Sequence, residues 1–296
     1  MDPHLLRTFV AVVEHRSFST AARELGYTQS AVSQHIAALE ADLATPLLGR
    51  RPVEPTPAGA RLMEHARPLL LRLDAARADL ARLTEVRPAR LAVACAPDAL
   101  SPAFARALGV VRQAVPGLAV EVRVLGRDAS VRAVLTGAAD LGLVTGAAAP
   151  SDPLPLPDAG TLITRGIAEE PLVVLLPAGH PLAGRPALRL GDLADARWID
   201  APDAAVPLAQ LRAAARSDGF LGQVAYAGTE LTGLGVLVAA GHGIVAVAAG
   251  VAEGAAGTVA VRISAPRLVH RTEVVHPREP AGPVRALMAA LTESSG

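Results

Sequence analysis

Lysine is missing from this chain: all 28 basic residues are arginine, and 28 acidic residues balance them to a formal net charge of zero. Bulk charge therefore indicates neither a nucleic-acid nor a membrane partner. Aromatic residues are also scarce, at 2%, and charged residues reach only 19%, whereas hydrophobic residues make up 51%. This composition supplies a large core and excludes an intrinsically disordered chain.

Cysteine is nearly absent, since Cys95 is the only one. It cannot form an internal disulfide, which favours a reducing compartment. Its apolar neighbours favour an inert buried thiol over a redox sensor. The segment Met1–His4 lacks the basic residues and following apolar run of a signal peptide. We therefore expect a cytoplasmic protein.

A long uninterrupted apolar run is lacking too. The closest approach is residues 231–250, which His242 and several glycines interrupt. A buried helix, a glycine turn and a buried strand explain this stretch better than a membrane span. We therefore expect no membrane partner.

Signatures of catalysis and metal binding are missing from the sequence, which has no glycine-rich phosphate loop, nucleophile elbow or Cys/His cluster. His270 and His276 share a strand-like run without the partners of a metal site. His180 is interpreted as structural, and His242 as satisfied or exposed. We expect no cofactor, no metal and no enzymatic activity.

By pattern the chain has three parts. Residues 1–58 read as short helices with tight connections, and residues 59–87 as one long helix. Residues 88–296 alternate strands with helices of a length that implies a parallel sheet with covered faces, in two α/β units.

The long helix carries a narrow apolar stripe. Its members alternate spacings of four and three, as the a and d positions of a coiled coil do: Leu62, Ala66, Leu69, Leu73, Ala76, Leu80 and Leu83. The stripe persists for about three heptads, which favours a homodimer seam over a helix packed on its own domain. Pro68 predicts a kink or local loosening.

The sharpest local signal is a helix-turn-helix pattern at residues 18–36. A first short helix has a small inner face, Gly26 stands where a helix ends in a left-handed residue, and Thr28 can cap the next helix. In that second helix the buried face steps by four, three and four through Val32, Ile36, Leu39 and Leu43.

The opposite face of the second helix presents side chains able to read DNA, namely Gln29, Ser30, Ser33 and Gln34. Glutamine suits the N6/N7 edge of adenine, and serine can bond to bases or phosphates. Residues 27–39 contain no acid, and Arg50 and Arg51 follow where a wing would touch the DNA backbone. The alternative for this head is a protein-interaction module.

The chain resembles the LysR-type family of transcription regulators over essentially its whole length. The head matches are Phe9, Val13, Ser17-Phe18, Ala21-Ala22, Leu25, residues 28–33, Ile36, Leu39-Glu40, Leu43, Arg50 and residues 56–59. Ala44 and Leu48 depart from the usual Gly and Phe, so we expect the wing to deviate. The resemblance implies base readout by the four polar residues above. Backbone contacts are assigned to Thr28, Arg50, Arg51 and Thr56.

For the body, the resemblance implies two subdomains like those of type 2 periplasmic-binding proteins, with a small effector in the cleft. They would comprise residues 89–164 with 268–296, and residues 165–267. Clefts in open α/β sheets lie at the carboxyl ends of strands. The candidates there are Asp98, Ser101, Arg127, Thr145, Asp200 and Thr229, although each also suits an ordinary surface loop.

Asp98 carries a prediction about the effector. In the family this loop often offers a hydroxyl to a ligand carboxylate near a helix N-terminus, and Asp98 stands at the hydroxyl's position. An ionised Asp98 would repel a carboxylate. We therefore predict an effector that is neutral or presents an amine or hydroxyl to Asp98, with Arg127 able to meet an anion elsewhere. Alternatively, Asp98 caps the following helix and faces solvent, or Ser101 takes the role.

The sequence thus predicts a sequence-specific DNA-binding transcription regulator controlled by a small effector. It would form a homodimer, and the resemblance suggests that two dimers make a homotetramer. The alternative from another class is an α/β enzyme or small-molecule-binding protein with an adventitious helical head.

Overall fold

The computed structural model describes residues 1–49, 52–84, 90–156 and 162–293. The chain separates into two compact units, Met1–Leu83 and Thr84–Gly296. The first unit is called the head and the second the body.

The head contains helices α1 (Pro3–His15), α2 (Phe18–Leu25), α3 (Gln29–Asp42) and α4 (Pro57–Thr84). Helix α2 ends at Gly26 with φ of 71°, and the Thr28 side chain accepts a hydrogen bond from the backbone N–H of Ala31 at the start of α3. The predicted stop and cap are therefore confirmed. Val32, Ile36 and Leu39 are buried, as their spacing predicts.

A single antiparallel bridge between Leu48 and Pro55 forms the wing that joins α3 to α4. Glu40 holds this segment from α3, because its Oε1 accepts hydrogen bonds from the backbone N–H groups of Leu47 at 2.7 Å and Leu48 at 3.2 Å. The base of the wing is therefore bonded to the helix that carries the polar face.

Ala44, just beyond α3, adopts the left-handed conformation with φ of 51°. This conformation costs a residue with a Cβ atom about 1–2 kcal/mol. We expect Ala44→Gly to raise the free energy of unfolding by about 1 kcal/mol, after the entropy that glycine adds to the unfolded chain. Urea denaturation measures the change. The matched control, Ala38→Gly on the exposed face of α3, should lower it by about 0.5–1 kcal/mol. If Ala44→Gly destabilised the protein as much as Ala38→Gly does, the backbone at Ala44 would not be strained.

Helix α4 runs through Pro68 as one element of 28 residues. Its start belongs to the head, where Leu62 packs against the core and Ala66 is fully buried. Further along, Leu69 is 47% exposed. The predicted stripe is thus divided, with its first members packed on their own unit and later ones exposed.

The elements of the body are β1 (Arg90–Cys95), α5 (Pro102–Ala114), β2 (Ala119–Val124), α6 (Arg127–Leu135), β3 (Leu141–Ala148), β4 (Ile163–Pro177), β5 (Ala187–Arg189), β6 (Trp198–Asp200), α7 (Leu208–Ala215), β7 (Gly222–Ala225), α8 (Leu231–Ala239), β8 (Val245–Ala248), α9 (Ala249–Ala252), β9 (Thr258–Ala265), β10 (Val269–His276) and α10 (Gly282–Glu293).

The main sheet has the strand order β2-β1-β3-β10-β4-β9-β5, and β8 also pairs with β4. Strand β1 pairs in parallel with β2 and β3, as predicted. Strand β10, however, is antiparallel to both β3 and β4, and β4 is antiparallel to β8 and β9. The prediction of a parallel sheet is therefore wrong for the middle of the sheet, because the chain crosses between its two halves once in each direction.

Two main cores lie on either side of this crossing. The first is built around Leu91, Phe104 and Leu141, with Leu287 of the last helix packed against it. The second surrounds Trp198, whose ring packs on Phe220 at a centroid distance of 5.4 Å. The body therefore folds as two lobes, and the chain returns to the first lobe at its end.

The apolar stretch at residues 231–250 forms α8, a turn with Gly241 at φ of 81°, and the buried strand β8. The predicted order of helix, glycine turn and strand is confirmed. Across the described ranges, no helix is long and apolar enough to cross a bilayer.

Candidate DNA-reading face and effector cleft

The four polar residues predicted to read bases share the exposed side of α3: Gln29, Ser30, Ser33 and Gln34. The opposite side of the helix is fixed in the core by Val32 and Leu39, neither of which exposes any surface. The first turn of α3 holds no acidic residue. The helix is thus a rigid support for hydrogen-bonding side chains, with nothing in its first turn to repel phosphate.

Thr28 and Thr56, which were predicted to contact the DNA backbone, form hydrogen bonds within the protein instead. The Thr28 hydroxyl caps α3, and the Thr56 hydroxyl donates to the carbonyl of Pro46 at 2.8 Å while accepting from the N–H of Gly59 at 3.0 Å. Both threonines therefore stabilise the ends of helices. Arg50 and Arg51 lie outside the described residues.

A narrow cleft lies between the two lobes of the body. Its walls are formed by Ala96, Pro97, Asp98, Arg127, Thr145, Gly146, Pro202, Asp203, Ala204, Ala205, Val206, Pro207 and His270. Its volume is about 10 Å³, which is room for about one water molecule. The lobes are therefore closed on each other, and a ligand would have to part them.

Asp98 is bound on both carboxylate oxygens in this cleft. Thr145 Oγ1 donates to Asp98 Oδ1 at 2.7 Å, and His270 Nε2 lies 2.8 Å from Asp98 Oδ2. The Asp98 side chain is 9% exposed and that of His270 is 2% exposed. Asp98 therefore lines the cleft without facing bulk solvent, and each of its oxygens already has a partner within the protein.

The contacts between Asp98 and His270 favour the charged form of each side chain. Burial by itself disfavours both charged forms, but the charge and hydrogen bond of His270, with that of Thr145, hold the pKa of Asp98 below its ordinary value. Against the same burial, Asp98 and the more distant charge of Glu170 raise the pKa of His270. Each partner thus stabilises the charge of the other.

The side chains of Arg127 and Gln210 both lie beside Gly146, and each has N–H groups without a hydrogen-bond partner. A Cβ atom on Gly146 would lie 3.1 Å from Gln210 Oε1 and 3.2 Å from Arg127 Nη1. Gln210 Oε1 accepts from the N–H of Ala147 at 3.1 Å, which fixes the orientation of the amide. Among the described residues, the buried atoms Arg127 Nε, Arg127 Nη1 and Gln210 Nε2 have no hydrogen-bond partner. Asp128, which is exposed, forms an ion pair with Arg127: its Oδ1 lies 3.5 Å from Arg127 Nε, too far for a good hydrogen bond.

Three predicted effector residues lie off the cleft walls. Ser101 caps α5 by accepting from the N–H of Phe104 at 3.2 Å. Asp200 is half-buried at the end of β6, and Thr229 is half-buried in the loop before α8. The structure thus brings together Asp98, Arg127 and Thr145.

His270 was missed as a cleft residue, and Gln210 was missed as a neighbour of the cleft residue Gly146. His270 was considered only as a metal ligand, and nothing in its neighbourhood indicated that β10 inserts beside β3 and carries it to Asp98. Gln210 comes from the other lobe, on α7. Local patterns carry no signal for either placement.

Cys95 is buried in β1, and burial, followed by the charge of Asp98, raises its thiol pKa to about 11. The thiol is therefore protonated at neutral pH and is a poor nucleophile. Over the ranges that the structure describes, no group of three or more His, Cys, Asp or Glu side chains is placed to hold a metal ion.

A helix-turn-helix head on a two-lobed α/β body with a cleft defines a class of DNA-binding regulators that respond to small ligands. Residues 3–60 match the family described as bacterial regulatory helix-turn-helix protein, lysR family, and residues 84–296 match the LysR substrate binding domain. The chain belongs to the LysR family of transcription regulators. The predicted family and fold class are confirmed.

Similar proteins agree with this membership. A probable hydrogen peroxide-inducible genes activator of Mycobacterium avium is 37% identical over 193 residues, which cover 64% of this chain and 59% of that protein. The transcriptional regulator BudR of Raoultella terrigena is 35% identical over 211 residues, or 70% of each chain. The alignments span only about three fifths of several other relatives, such as 63% of the regulator YnfL of Escherichia coli.

Solved structures share the fold. Full-length BenM is 25% identical with a TM-score of 0.55, over 99% of this chain and 96% of that one. CbnR in complex with its target DNA is 22% identical with a TM-score of 0.52, over 99% of this chain and all of that one, and supports the fold alone.

Proposed function

We propose that this chain is a sequence-specific DNA-binding transcription regulator of LysR type, controlled by a small effector bound in the cleft of its body. The observation that carries the proposal is the exposed face of α3, where four hydrogen-bonding side chains lie opposite a fully packed face. A helix supported in this way suits the major groove, where amide and hydroxyl groups can contact base edges.

The parts of the chain divide the work. Residues 1–58 would bind DNA, residues 59–87 would form the dimer, and residues 88–296 would bind the effector, with subdomains at 89–164 plus 268–296 and at 165–267. A homodimer, and two dimers as a homotetramer, follow from the exposed part of the α4 stripe and from the family. Because its partner is double-stranded DNA, we place the protein in the cytoplasm.

Effector binding is assigned to the cleft wall that holds Arg127, Thr145 and Asp98. The name of the Mycobacterium avium relative refers to hydrogen peroxide, but this chain offers a peroxide little to react with. Its one thiol, Cys95, is buried and its pKa is raised to about 11. We therefore propose control by a bound ligand rather than by thiol oxidation.

Gln34→Ala is expected to cost about 1–3 kcal/mol of discrimination at one base pair, because the amide can contact a base edge in two places. Arg50→Ala should instead weaken binding to every sequence and flatten its salt dependence. Gel shifts with the DNA upstream of the gene, single-base variants of it and random DNA measure both effects.

The matched control for this measurement is Gln113→Ala, the same substitution on an exposed position of α5 in the body. It should leave DNA binding unchanged. Equal losses on specific and random DNA for Gln34→Ala and Arg50→Ala would show that the base and backbone roles are wrongly assigned. Wild-type protein that binds no DNA would favour the alternative, an α/β enzyme or ligand-binding protein.

A further inference from the structure

Strand β4 changes its pairing partners where the two lobes meet. Its first part, up to Pro171, pairs with β10 of the first lobe, and the remainder pairs with β8 and β9 of the second. Just before this change the register of the ladder shifts between Thr272 and Glu273 of β10. The shift leaves Ile167 of β4 without a partner, as a β-bulge that bends the strand and increases its twist. A change in the angle between the lobes would therefore be absorbed near this bulge.

The side chain of Arg271 lies across the bulge. Its Nε donates to Glu273 Oε1 on the same strand at 2.7 Å, and its Nη1 donates to Glu169 Oε1 on β4. The guanidinium fills the space beside Gly166, where a Cβ atom would overlap it. The side chains of Arg271 and Glu273 are 14% and 2% exposed, so water can replace little of this bonding. One cation thus ties β10 to the last stretch of β4 that pairs within the first lobe.

The next carboxylate along β4 is bonded to the other lobe. Glu169 and Glu170 point to opposite faces of the strand, as neighbours in a strand do. Glu170 Oε2 accepts from the backbone N–H of Gly250, in α9 of the second lobe, at 3.0 Å. Glu169 Oε1 also accepts from the N–H of Ser151, in the first lobe, at 2.9 Å. Two adjacent residues of β4 are therefore held by different lobes, and Arg271 holds the one on the side of the first lobe.

The same bonds reach the wall of the cleft. Glu273 Oε1 accepts from the N–H of Leu154 at 3.0 Å, and the Leu154 side chain lies beside Gly146 of the cleft wall. A Cβ atom on Gly146 would lie 3.2 Å from Leu154 Cδ2 and 3.1 Å from Gln210 Oε1. Gln210 belongs to the second lobe and bonds to the N–H of Ala147 in the first. The bulge and the contact between the lobes are therefore joined by packed side chains as well as by the strands.

We propose that Arg271 is a positioning residue that braces the junction of the lobes and holds the cleft closed when no ligand is bound. Bonded to Glu169 and Glu273, it keeps the bulge from bending, and the lobes part more readily when it is removed or displaced. The proposal rests on the effector cleft of the proposed function, since the brace lowers the fraction of open protein that a ligand can enter.

The test is hydrogen–deuterium exchange of the full chain without ligand, resolved to single amides by mass spectrometry. The reporter is the N–H of Ala147, a buried residue bonded to Gln210 of the other lobe, so that parting of the lobes exposes it. Arg271→Gln should accelerate its exchange by about tenfold or more, because hydrogen bonds between charged groups hold the closed state. The N–H of Val93, in the middle of β1 between β2 and β3, reports on unfolding of the sheet and should keep its rate.

Gly166→Ala tests the same brace without removing a charge. Its methyl group would push the guanidinium of Arg271 out of its place. Exchange at Ala147 should rise by about threefold or more, which is less than for Arg271→Gln because the ion pairs can partly re-form. The matched control is Arg123→Gln, because Arg123 donates through Nε to Glu121, two residues away on β2, at 2.6 Å. It removes the same kind of pair from a strand far along the sheet, and should change exchange at Ala147 by less than about twofold.

The proposal is overturned if exchange at Ala147 is unchanged in Arg271→Gln or in Gly166→Ala. It is also overturned if exchange at Ala147 rises no more than exchange at Val93, or rises equally in Arg123→Gln, since the variants would then merely be less stable. The measurement needs neither DNA nor effector. Failure of the wild type to bind DNA in gel shifts would contradict the regulator, whereas unchanged exchange at Ala147 would contradict only the brace.

Discussion

His270→Leu is expected to lower the free energy of unfolding of the body by about 3–5 kcal/mol, because it leaves the Asp98 carboxylate buried without its ionic partner. The two side chains are 2% and 9% exposed, so solvent cannot take over the role of His270. Urea unfolding followed by the fluorescence of Trp198 measures the change, since this residue is the one tryptophan and lies in a core of the body.

A double-mutant cycle separates the ion pair from simple loss of packing. Asp98→Leu alone should also be strongly destabilising, whereas Asp98→Leu with His270→Leu should cost much less than the sum, because no charge is then left buried. The control Thr145→Val removes one hydrogen bond to Asp98 and should cost about 1–3 kcal/mol. If the two single substitutions and the double substitution gave strictly additive losses of unfolding free energy, Asp98 and His270 would not be energetically coupled.

The cost of His270→Leu should also depend on pH in a defined direction. The folded pKa of Asp98 lies below 3.8, and that of His270 lies above 6.5. The contribution of Asp98 is lost as the pH falls through its lowered pKa, and that of His270 is lost as the pH rises through its raised pKa. The difference between wild type and variant should therefore be largest between pH 3.8 and 6.5 and shrink at alkaline pH.

Local patterns in the sequence were enough to predict much of this fold. The stop at Gly26 and the cap at Thr28 depend on backbone geometry and hydrogen bonds within a few residues, and both are present. The apolar stretch at residues 231–250 was correctly divided because its glycines mark the turn. The head needed little beyond such signals, because the buried face of α3 repeats at regular spacing and packs against apolar residues of the neighbouring helices α1 and α2.

The arrangement of the cleft depended on contacts that no local pattern carries. Asp98 was placed correctly near the carboxyl end of β1, but its partner His270 lies 172 positions later in the chain, by subtraction of the two residue numbers. The antiparallel insertion of β10 between β3 and β4 brings them together. A strand-like run with alternating residues indicates a strand but says nothing about its neighbours or direction, so the donors of the cleft stayed hidden.

The exposed part of the α4 stripe leads to the last prediction, on assembly. Leu69→Glu together with Leu73→Glu should raise the dissociation constant of the dimer by about 100-fold or more, because two leucines that a dimer seam would bury are replaced by like charges facing their copies. Since a dimer reads two half-sites, affinity for the upstream DNA should fall steeply as well. Sedimentation velocity over a range of protein concentrations and gel shifts measure the two effects.

The control places the same two charges on the other side of the same helix. By the helical period of 3.6 residues, Ala75 and Ala78 lie on the side opposite Leu69 and Leu73, so Ala75→Glu with Ala78→Glu should leave the protein dimeric. This comparison is needed because, at the start of the stripe, Leu62 packs against the core of the head and Ala66 is fully buried. A helix that served its own unit alone would show the same spacing there. A Leu69→Glu, Leu73→Glu protein that stays dimeric and binds DNA normally would show that the stripe only holds α4 to its own head. Loss of the dimer in this variant alone would place the seam on the side of α4 where Leu69 is exposed.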